Sequence, residues 1–181
     1  MIIKVRDKDN LELRTLVPDN ADEIFGVINV NREHLRQWLP WVDGVESPDN
    51  TRETICKWQQ ELNDKENYTF GIFYSGNYIG NIGLHDTKSK NNSAMIGYWL
   101  AEDYQGKGIV TDCVRVLTDF GFDELGLNRI WIACAFGNKK SRAIPERLGY
   151  VQEGIFQDKI YMYGEYHDQV IYGMVKRKRV K

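Results

Sequence analysis

The segment Trp99-Leu100-Ala101-Glu102-Asp103-Tyr104-Gln105-Gly106-Lys107-Gly108-Ile109-Val110-Thr111 carries the most chemistry in the chain. Its spelling predicts a buried strand, a turn with two glycines one residue apart, and a helix that begins at once. Glycines at such a turn admit positive φ and let a ligand approach without meeting a Cβ. The unpaired N–H groups of the helix's first turn then point outward. With the helix dipole they form an anion cradle, and a pyrophosphate is the ligand that suits it. Two nucleotide-binding alternatives fail on spelling. The NTPase phosphate loop requires Gly-x4-Gly-Lys-Ser/Thr, and Gly106-Lys107-Gly108 offers no such frame. The dinucleotide fingerprint requires a third Gly or Ala where Thr111 stands, in a unit that should open the domain.

A second element strengthens the first. After a strand expected over Arg129–Ala135 comes Asn138-Lys139-Lys140-Ser141-Arg142-Ala143, then Leu148-Gly149-Tyr150. The separation of about thirty residues fits one parallel crossover. That puts both segments at the carboxyl ends of neighbouring strands, where open sheets bind ligands. A diphosphate cradle beside an Asn and a Ser describes a site for a long phosphorylated cofactor with a reactive tail.

On these residues the chain resembles the GNAT superfamily of acetyl-CoA-dependent N-acetyltransferases. Gln105-x-x-Gly108 is similar to the superfamily's pyrophosphate loop, Arg/Gln-x-x-Gly-x-Gly/Ala, and Asn138 through Tyr150 to its following helix. More narrowly, Trp38-Leu39-Pro40-Trp41, Ile96-Gly97-Tyr98-Trp99-Leu100, Asn138-x-x-Ser141 and Tyr166-His167-Asp168 resemble the RimJ/RimL type of ribosomal-protein N-terminal acetylases. The likeness spans residues 10–176. It implies acetyl-CoA as co-substrate, held by Gln105, Gly106, Lys107, Gly108, Ile109, Val110, Thr111 and Asn138, with no metal. It also implies oxyanion donors in the backbone near Trp99 and Leu100. Three positions depart from the family pattern. Val110 replaces a small residue, Met95 stands where many relatives carry a glutamate base, and Pro145 occupies the place of a tyrosine acid.

Acetyl transfer needs a neutral amine, a donor for the carbonyl oxygen and an acid for the departing sulfur. Ser141 is the hydroxyl left for the acid's role; its other reading is a helix N-cap. Asn138 is either a cofactor ligand or a cap. Trp38 and Trp41 either wall the amine's pocket or pack a helix. Cys134 alternates with Ile130 and Ile132 and reads as a core cysteine. His85 and His167 are candidate proton relays, while His34 has no partner in view. An α-amine has a pKa near ~7.7–8.0 and a lysine amine near ~10.4, so a site without an evident strong base favours the α-amine. The expected acceptor is therefore a protein N-terminus, and the resemblance implies that of a ribosomal protein. The alternatives are a small amine (a polyamine or an antibiotic) and a CoA-binding regulatory module without turnover.

The elements that must position these groups are legible along the chain. Leu11–Leu13 alternates as a first strand, and residues 20–30 place Ala21, Ile24, Phe25 and Ile28 on one helical face. Asn31 opens a short helix from Arg32 to Leu39, and Ser47-Pro48 starts a longer one. Strands follow over 68–74, 78–85 and 94–100, with Ser75-Gly76-Asn77 as a hairpin turn. A helix over 108–124, the strand Arg129–Ala135, a helix over 138–148 and a hairpin about Tyr163-Gly164 complete the order. The expectation is an α/β (α+β) fold, a central twisted mixed sheet of about seven strands with helices on both faces, forming one domain over 1–181.

Composition sets the outer limits. The chain has 181 residues, 42% hydrophobic and 28% charged, which suits one globular domain. Its apolar runs fall short of the ~20 residues of a membrane span. Lys4, Arg6, Asp7, Lys8 and Asp9 interrupt any leader-like stretch, so the cytoplasm is the expected compartment. Cys56, Cys113 and Cys134 suggest neither a disulfide framework nor a zinc motif. Net charge is −2, yet residues 176–181 (KRKRVK) hold five of the 24 basic residues. A basic tail on an acidic body can touch nucleic acid or a ribosome, or simply be a solvated terminus, which is the reading preferred here, so no nucleic-acid partner is assigned. Twelve per cent aromatic residues, and relatives that pair, lead to the expectation of a homodimer.

Overall fold

The computed structural model describes residues 1–5, 8 and 10–179. Arg6, Asp7 and Asp9 of the charged N-terminal stretch, and Val180 and Lys181 of the basic tail, lie outside the described residues.

Among the described residues eight strands form one sheet in the order β1-β2-β3-β4-β5-β6-β8-β7. They are β1 (Ile2–Lys4), β2 (Leu11–Arg14), β3 (Tyr68–Tyr74), β4 (Asn77–His85), β5 (Ser93–Leu100), β6 (Arg129–Ala135), β7 (Val151–Met162) and β8 (Glu165–Val175). The helices are α1 (Ala21–Val30), α2 (Arg32–Arg36), α3 (Pro48–Asn63), α4 (Ile109–Asp123) and α5 (Lys139–Arg147). The expected mixed sheet with helices on both faces is present, with one strand more than anticipated. That strand is β1, three residues too short to reveal a period, held by its ladder to β2 and by the N-terminal amine donating to Thr15 Oγ1 at 2.8 Å.

Two apolar clusters lie on opposite faces. On one, Val114, Leu117 and Phe122 of α4 pack on Phe70, Leu84, Ile96, Ile130 and Tyr172 of the strands. On the other, Ile24 and Ile28 of α1 and Ile55 of α3 pack with Phe73, Tyr78 and Trp99. Because successive strand residues face opposite ways, Ile96 and Leu100 of β5 point to α4 while Trp99 points to α1 and α3.

Local signals account for most boundaries. Ser47 caps α3 by accepting from the Asn50 N–H, Asn50 Oδ1 accepts the Ser47 N–H in return, and Pro48 fills the first position. Helix α2 ends at Arg36 rather than Leu39. Pro40 pushes Leu39 out of the helical region, to φ −132°, and a 3-10 helix takes over at Pro40–Gly44. Of the basic tail, Lys176, Arg177 and Lys178 are exposed, as a solvated terminus would be, while two of its side chains reach back to α4. Lys176 Nζ donates to the Phe122 carbonyl at the end of α4, and Arg179 pairs with Asp119 at 2.6 Å and Asp123 at 3.0 Å. Cations there complement the carbonyl end of the helix.

The feature that positions the site is a break in the sheet. Among the described residues strands β5 and β6 are its one parallel pair, and their ladder has three rungs: Ser93 to Arg129, Ala94 to Ile130 and Met95 to Trp131. Beyond them β5 stays paired to β4 as far as Leu100, and β6 to β8 as far as Ala135. The sheet therefore opens into a wedge between residues 96–100 and 132–135.

Candidate active site

The wedge opens toward the two segments with the strongest chemical spelling. After β5 the chain passes through a 3-10 turn, Glu102–Tyr104, into Gln105-Gly106-Lys107-Gly108 and then α4. Gly106 and Gly108 stand at φ +73° and +74°, and no atom lies within 4 Å of where a Cβ would be on either. The conformation calls for glycine, and the open space leaves room for a ligand at the turn. Gly108 is the residue before α4, so the first N–H groups of that helix face the opening without intrahelical partners. The side chains of Ile109, Val110 and Thr111 are buried and anchor that first turn. Arg147 donates to Thr111 Oγ1 at 2.9 Å, which brings a guanidinium beside the turn.

Gln105 is held from two directions. Its Nε2 lies 2.7 Å from His34 Nε2, and Lys140 Nζ donates to its Oε1 at 2.9 Å. Lys140 belongs to α5, on the far side of the wedge, so this contact spans the mouth. His34, without a visible partner in sequence, also lies 3.8 Å from Glu102. Asn31 Oδ1 accepts the Glu102 N–H at 2.8 Å, so α1 and α2 fix the approach to the cradle.

Deeper in the wedge, Ser141 meets Tyr98. Their hydroxyl oxygens are 3.0 Å apart, and Tyr98 Oη also reaches the Ser141 carbonyl at 3.1 Å. The second contact explains how Pro145 sits inside α5 without ending it. A proline cannot donate to the carbonyl four residues earlier, and that carbonyl is Ser141's. Tyr98 supplies the missing donor from across the wedge. Burial pushes the Tyr98 phenol well above its ordinary value, against the hydrogen bond to Ser141, so it stays protonated at neutral pH.

The cap of α5 is Asn138, whose Oδ1 accepts the Ser141 N–H at 3.0 Å. Ser141 is therefore not the N-cap, and its hydroxyl is committed to the wedge. Cys134, expected in the core, is only half-buried at the end of β6 and lies beside Ser141. Burial raises its thiol pKa despite the hydrogen bond to Ser141, so the thiol is protonated and is a poor nucleophile. The two tryptophans line the opposite face. Trp38 packs on Gly137, where a Cβ would stand 3.4 Å from its ring, and Trp41 lies 6.2 Å from Trp99 with 44% of its surface exposed. Leu100 is buried at the end of β5, and its backbone runs along the wedge.

This geometry can hold an anion at the start of α4, an extended chain between two unladdered strand edges, and a hydroxyl at the chain's end. Among the described residues no cluster of His, Cys, Asp or Glu could hold a metal ion. Tyr98, Lys140, Arg147 and His34 escaped sequence reasoning. Tyr98 alone carried a signal, a tyrosine among apolar strand residues with a proline-bearing helix expected beside it.

Comparison with known proteins gives a consistent result. A family model described as an acetyltransferase (GNAT) domain matches residues 10–151. The Bacillus subtilis (strain 168) protein named "Putative ribosomal N-acetyltransferase YdaF" is 39% identical over 171 residues, covering 94% of this chain and 93% of its own. The ribosomal-protein-serine acetyltransferase of Escherichia coli (strain K12) is 27% identical over 173 residues, covering 94% and 96%. Among solved structures, RimL, a ribosomal L7/L12 alpha-N-protein acetyltransferase in complex with coenzyme A joined to a cysteine by a disulfide, aligns with a TM-score of 0.92. It is 27% identical, with 97% and 98% of the two chains covered.

The Tyr98 contact generates a double-variant test. Tyr98→Phe should cost about 1–3 kcal/mol in urea denaturation, because the Ser141 carbonyl loses its donor. Adding Pro145→Ala restores an N–H within the helix, so the double variant should recover much of that loss. Additive losses would show that Tyr98 does not serve this carbonyl.

Proposed function

This chain belongs to the GNAT acetyltransferase family, and on that premise we propose that it moves acetyl from acetyl-CoA to the N-terminal α-amine of a protein. The observation that carries the reading is the wedge between β5 and β6, with an anion cradle at its mouth and a hydroxyl within. A pyrophosphate fits the N–H groups at Gly108–Thr111, with Lys107, Lys140 and Arg147 adding positive charge nearby. The pantetheine arm carries amides, and the wedge offers strand edges to pair with them. Asn138 keeps its Nδ2 available to donate while Oδ1 caps α5. Oxyanion donors are assigned to the backbone at Trp99–Leu100.

In this reading Ser141 protonates or holds the departing thiolate. The half-buried Cys134 beside it is the counterpart, in chemistry, of the cysteine that RimL joins to coenzyme A. Trp38 and Trp41 wall the approach of the amine. Ribosomal proteins are the proposed acceptors, because YdaF, the Escherichia coli enzyme and RimL all carry that substrate in their names. The described residues act as one domain, in the cytoplasm, as a homodimer. Exposed Val151, Ile155, Phe156, Tyr161, Tyr163 and Tyr166 on the β7–β8 hairpin support pairing.

Three measurements test this. With peptides beginning in Ser or Ala, the enzyme should release thiol from acetyl-CoA, and blocking the peptide's α-amine should abolish release. Release with polyamines alone would replace the protein acceptor by a small amine, and CoA binding without release would mean a regulatory module. Ser141→Ala should lower kcat by about 10²–10⁴, toward the lower end because a thiol of pKa near ~8.5 leaves tolerably unaided. Stability should stay close to that of the unmodified protein, since Asn138 is the cap; turnover at the full rate would remove Ser141 from the mechanism. Gly108→Val puts a β-branched residue at positive φ where N–H groups must reach phosphate. CoA affinity measured by calorimetry should fall about ten- to several-hundred-fold, and unchanged affinity in a folded variant would overturn the cradle.

A further inference from the structure

Met95 on β5 cannot accept a proton. Met95 nevertheless has a neighbour that can. Across the β4–β5 ladder it is paired with His85. Strand alternation puts His85, Met95, Gly97 and Trp99 on one face of the sheet, the face opposite α4.

Two glycines make room for the imidazole. A Cβ at Gly83 would stand 3.1 Å from His85 Nε2, and one at Gly97 would stand 3.4 Å from the same atom. The ring therefore leans along the sheet, over Gly83 and across to Gly97. Gly97 is two residues beyond Met95, the last residue of the β5–β6 ladder. The imidazole thus lies over the paired strands β4 and β5, level with the first residues of β5 beyond its ladder to β6, on the face opposite α4. Among the described residues neither ring nitrogen has a hydrogen-bond partner in the protein. On the same face, opposite Gly83 on β3, the buried hydroxyl of Thr69 is also without a partner among those residues. An orphaned buried hydroxyl marks a place for a water or a ligand group.

We propose that His85 is the base that takes the proton of the acceptor amine, directly or through one water, from the face of the sheet opposite α4. The proposal rests on the acetyl-transfer reading above. As the amine nitrogen bonds to the thioester carbon, the carbon–sulfur bond breaks and its electron pair leaves on sulfur. Sulfur takes the proton of Ser141 or of water, and the nitrogen gives its proton to the imidazole. One amine and one thioester become one amide and one thiol.

The surroundings suit the role. His85 borders a cavity of about 460 Å³ with Glu66, Asn67, Asp86 and Lys88. The groups that face it are Glu61 of α3, Glu66 after that helix, Asp86 beyond β4, and Lys88, which pairs with Glu66 at 3.7 Å. Among the described residues strand β5 offers no titratable group on this face. Burial lowers the histidine's pKa and Glu61 opposes this, with burial prevailing. The ring is therefore neutral at pH 7 and protonates as pH falls below the ordinary histidine range. An α-amine of pKa near ~7.7–8.0 is within reach of such a base, while a lysine amine near ~10.4 is not.

The test combines kinetics with a direct titration. The kcat/KM of the unmodified enzyme for a peptide α-amine should fall on an acid limb below pH ~6.5. The same midpoint should appear when the ring of His85 is titrated by NMR, with its resonances assigned by their loss in His85→Asn. That variant should bind CoA normally, lose about 10²–10⁴-fold in kcat at pH 7, and lose the acid limb. Its deficit should shrink above pH ~8, where the free amine is already neutral. His167→Asn, on the β7–β8 hairpin, should keep the limb. Full activity with an unchanged limb in His85→Asn, or an NMR midpoint that departs from the kinetic one, would overturn the assignment. So would loss of the limb in His167→Asn. Absence of thiol release by the unmodified enzyme would instead defeat the acetyl-transfer reading, and the base with it.

Discussion

Three rungs of parallel ladder, Ser93–Met95 against Arg129–Trp131, join the two halves of this sheet, and the site exists because the ladder goes no further. Strand β5 is drawn to β4, where Gly80 approaches so closely that a Cβ would stand 2.3 Å from the Trp99 carbonyl oxygen. Strand β6 is drawn to β8 by seven paired positions. Each half thus satisfies one edge of its inner strand and leaves the other facing the wedge. Backbone polar groups in such a place need partners, so the wedge is built for a molecule that carries its own amides.

The same opening decides how the helices behave. Contacts that cross it include Lys140 to Gln105 at the mouth, Arg147 to Thr111 beside the turn, and Tyr98 to Ser141 within. The inner contact repairs the hydrogen bond that Pro145 removes from α5, and the same tyrosine holds the Ser141 hydroxyl. Positive charge gathers at the mouth on Lys107, Lys140 and Arg147, while the chain as a whole carries −2. Local sign, not net charge, is what a phosphate encounters there.

The opposite face carries the complementary chemistry. Trp38, Trp41 and Trp99 bring apolar surface to the approach, and glycines at 83 and 97 clear a niche for one imidazole. In the proposed reaction a thioester in the wedge is met by Ser141 from the side of Tyr98 and by His85 from the other face.

Much of this was legible in the residues themselves, for local reasons. The paired glycines at 106 and 108, the Ser47-Pro48 helix start and the Arg129–Ala135 strand are specified by backbone geometry and period, which act within a few residues. Those signals determined the fold class, the two-glycine turn before α4 and the place of Ser141 in the first turn of α5. They could not determine what meets what across the sheet. That Tyr98 completes a proline-broken helix and that His34 grips Gln105 depends on groups 43 and 71 residues apart in the chain. Cys134 illustrates the limit best. Its alternation with Ile130 and Ile132 reads as core, and it does face the core side, but the strand end where it sits opens onto the wedge. Periodicity assigns a residue to a face; only the packing of neighbouring strands decides whether that face is closed.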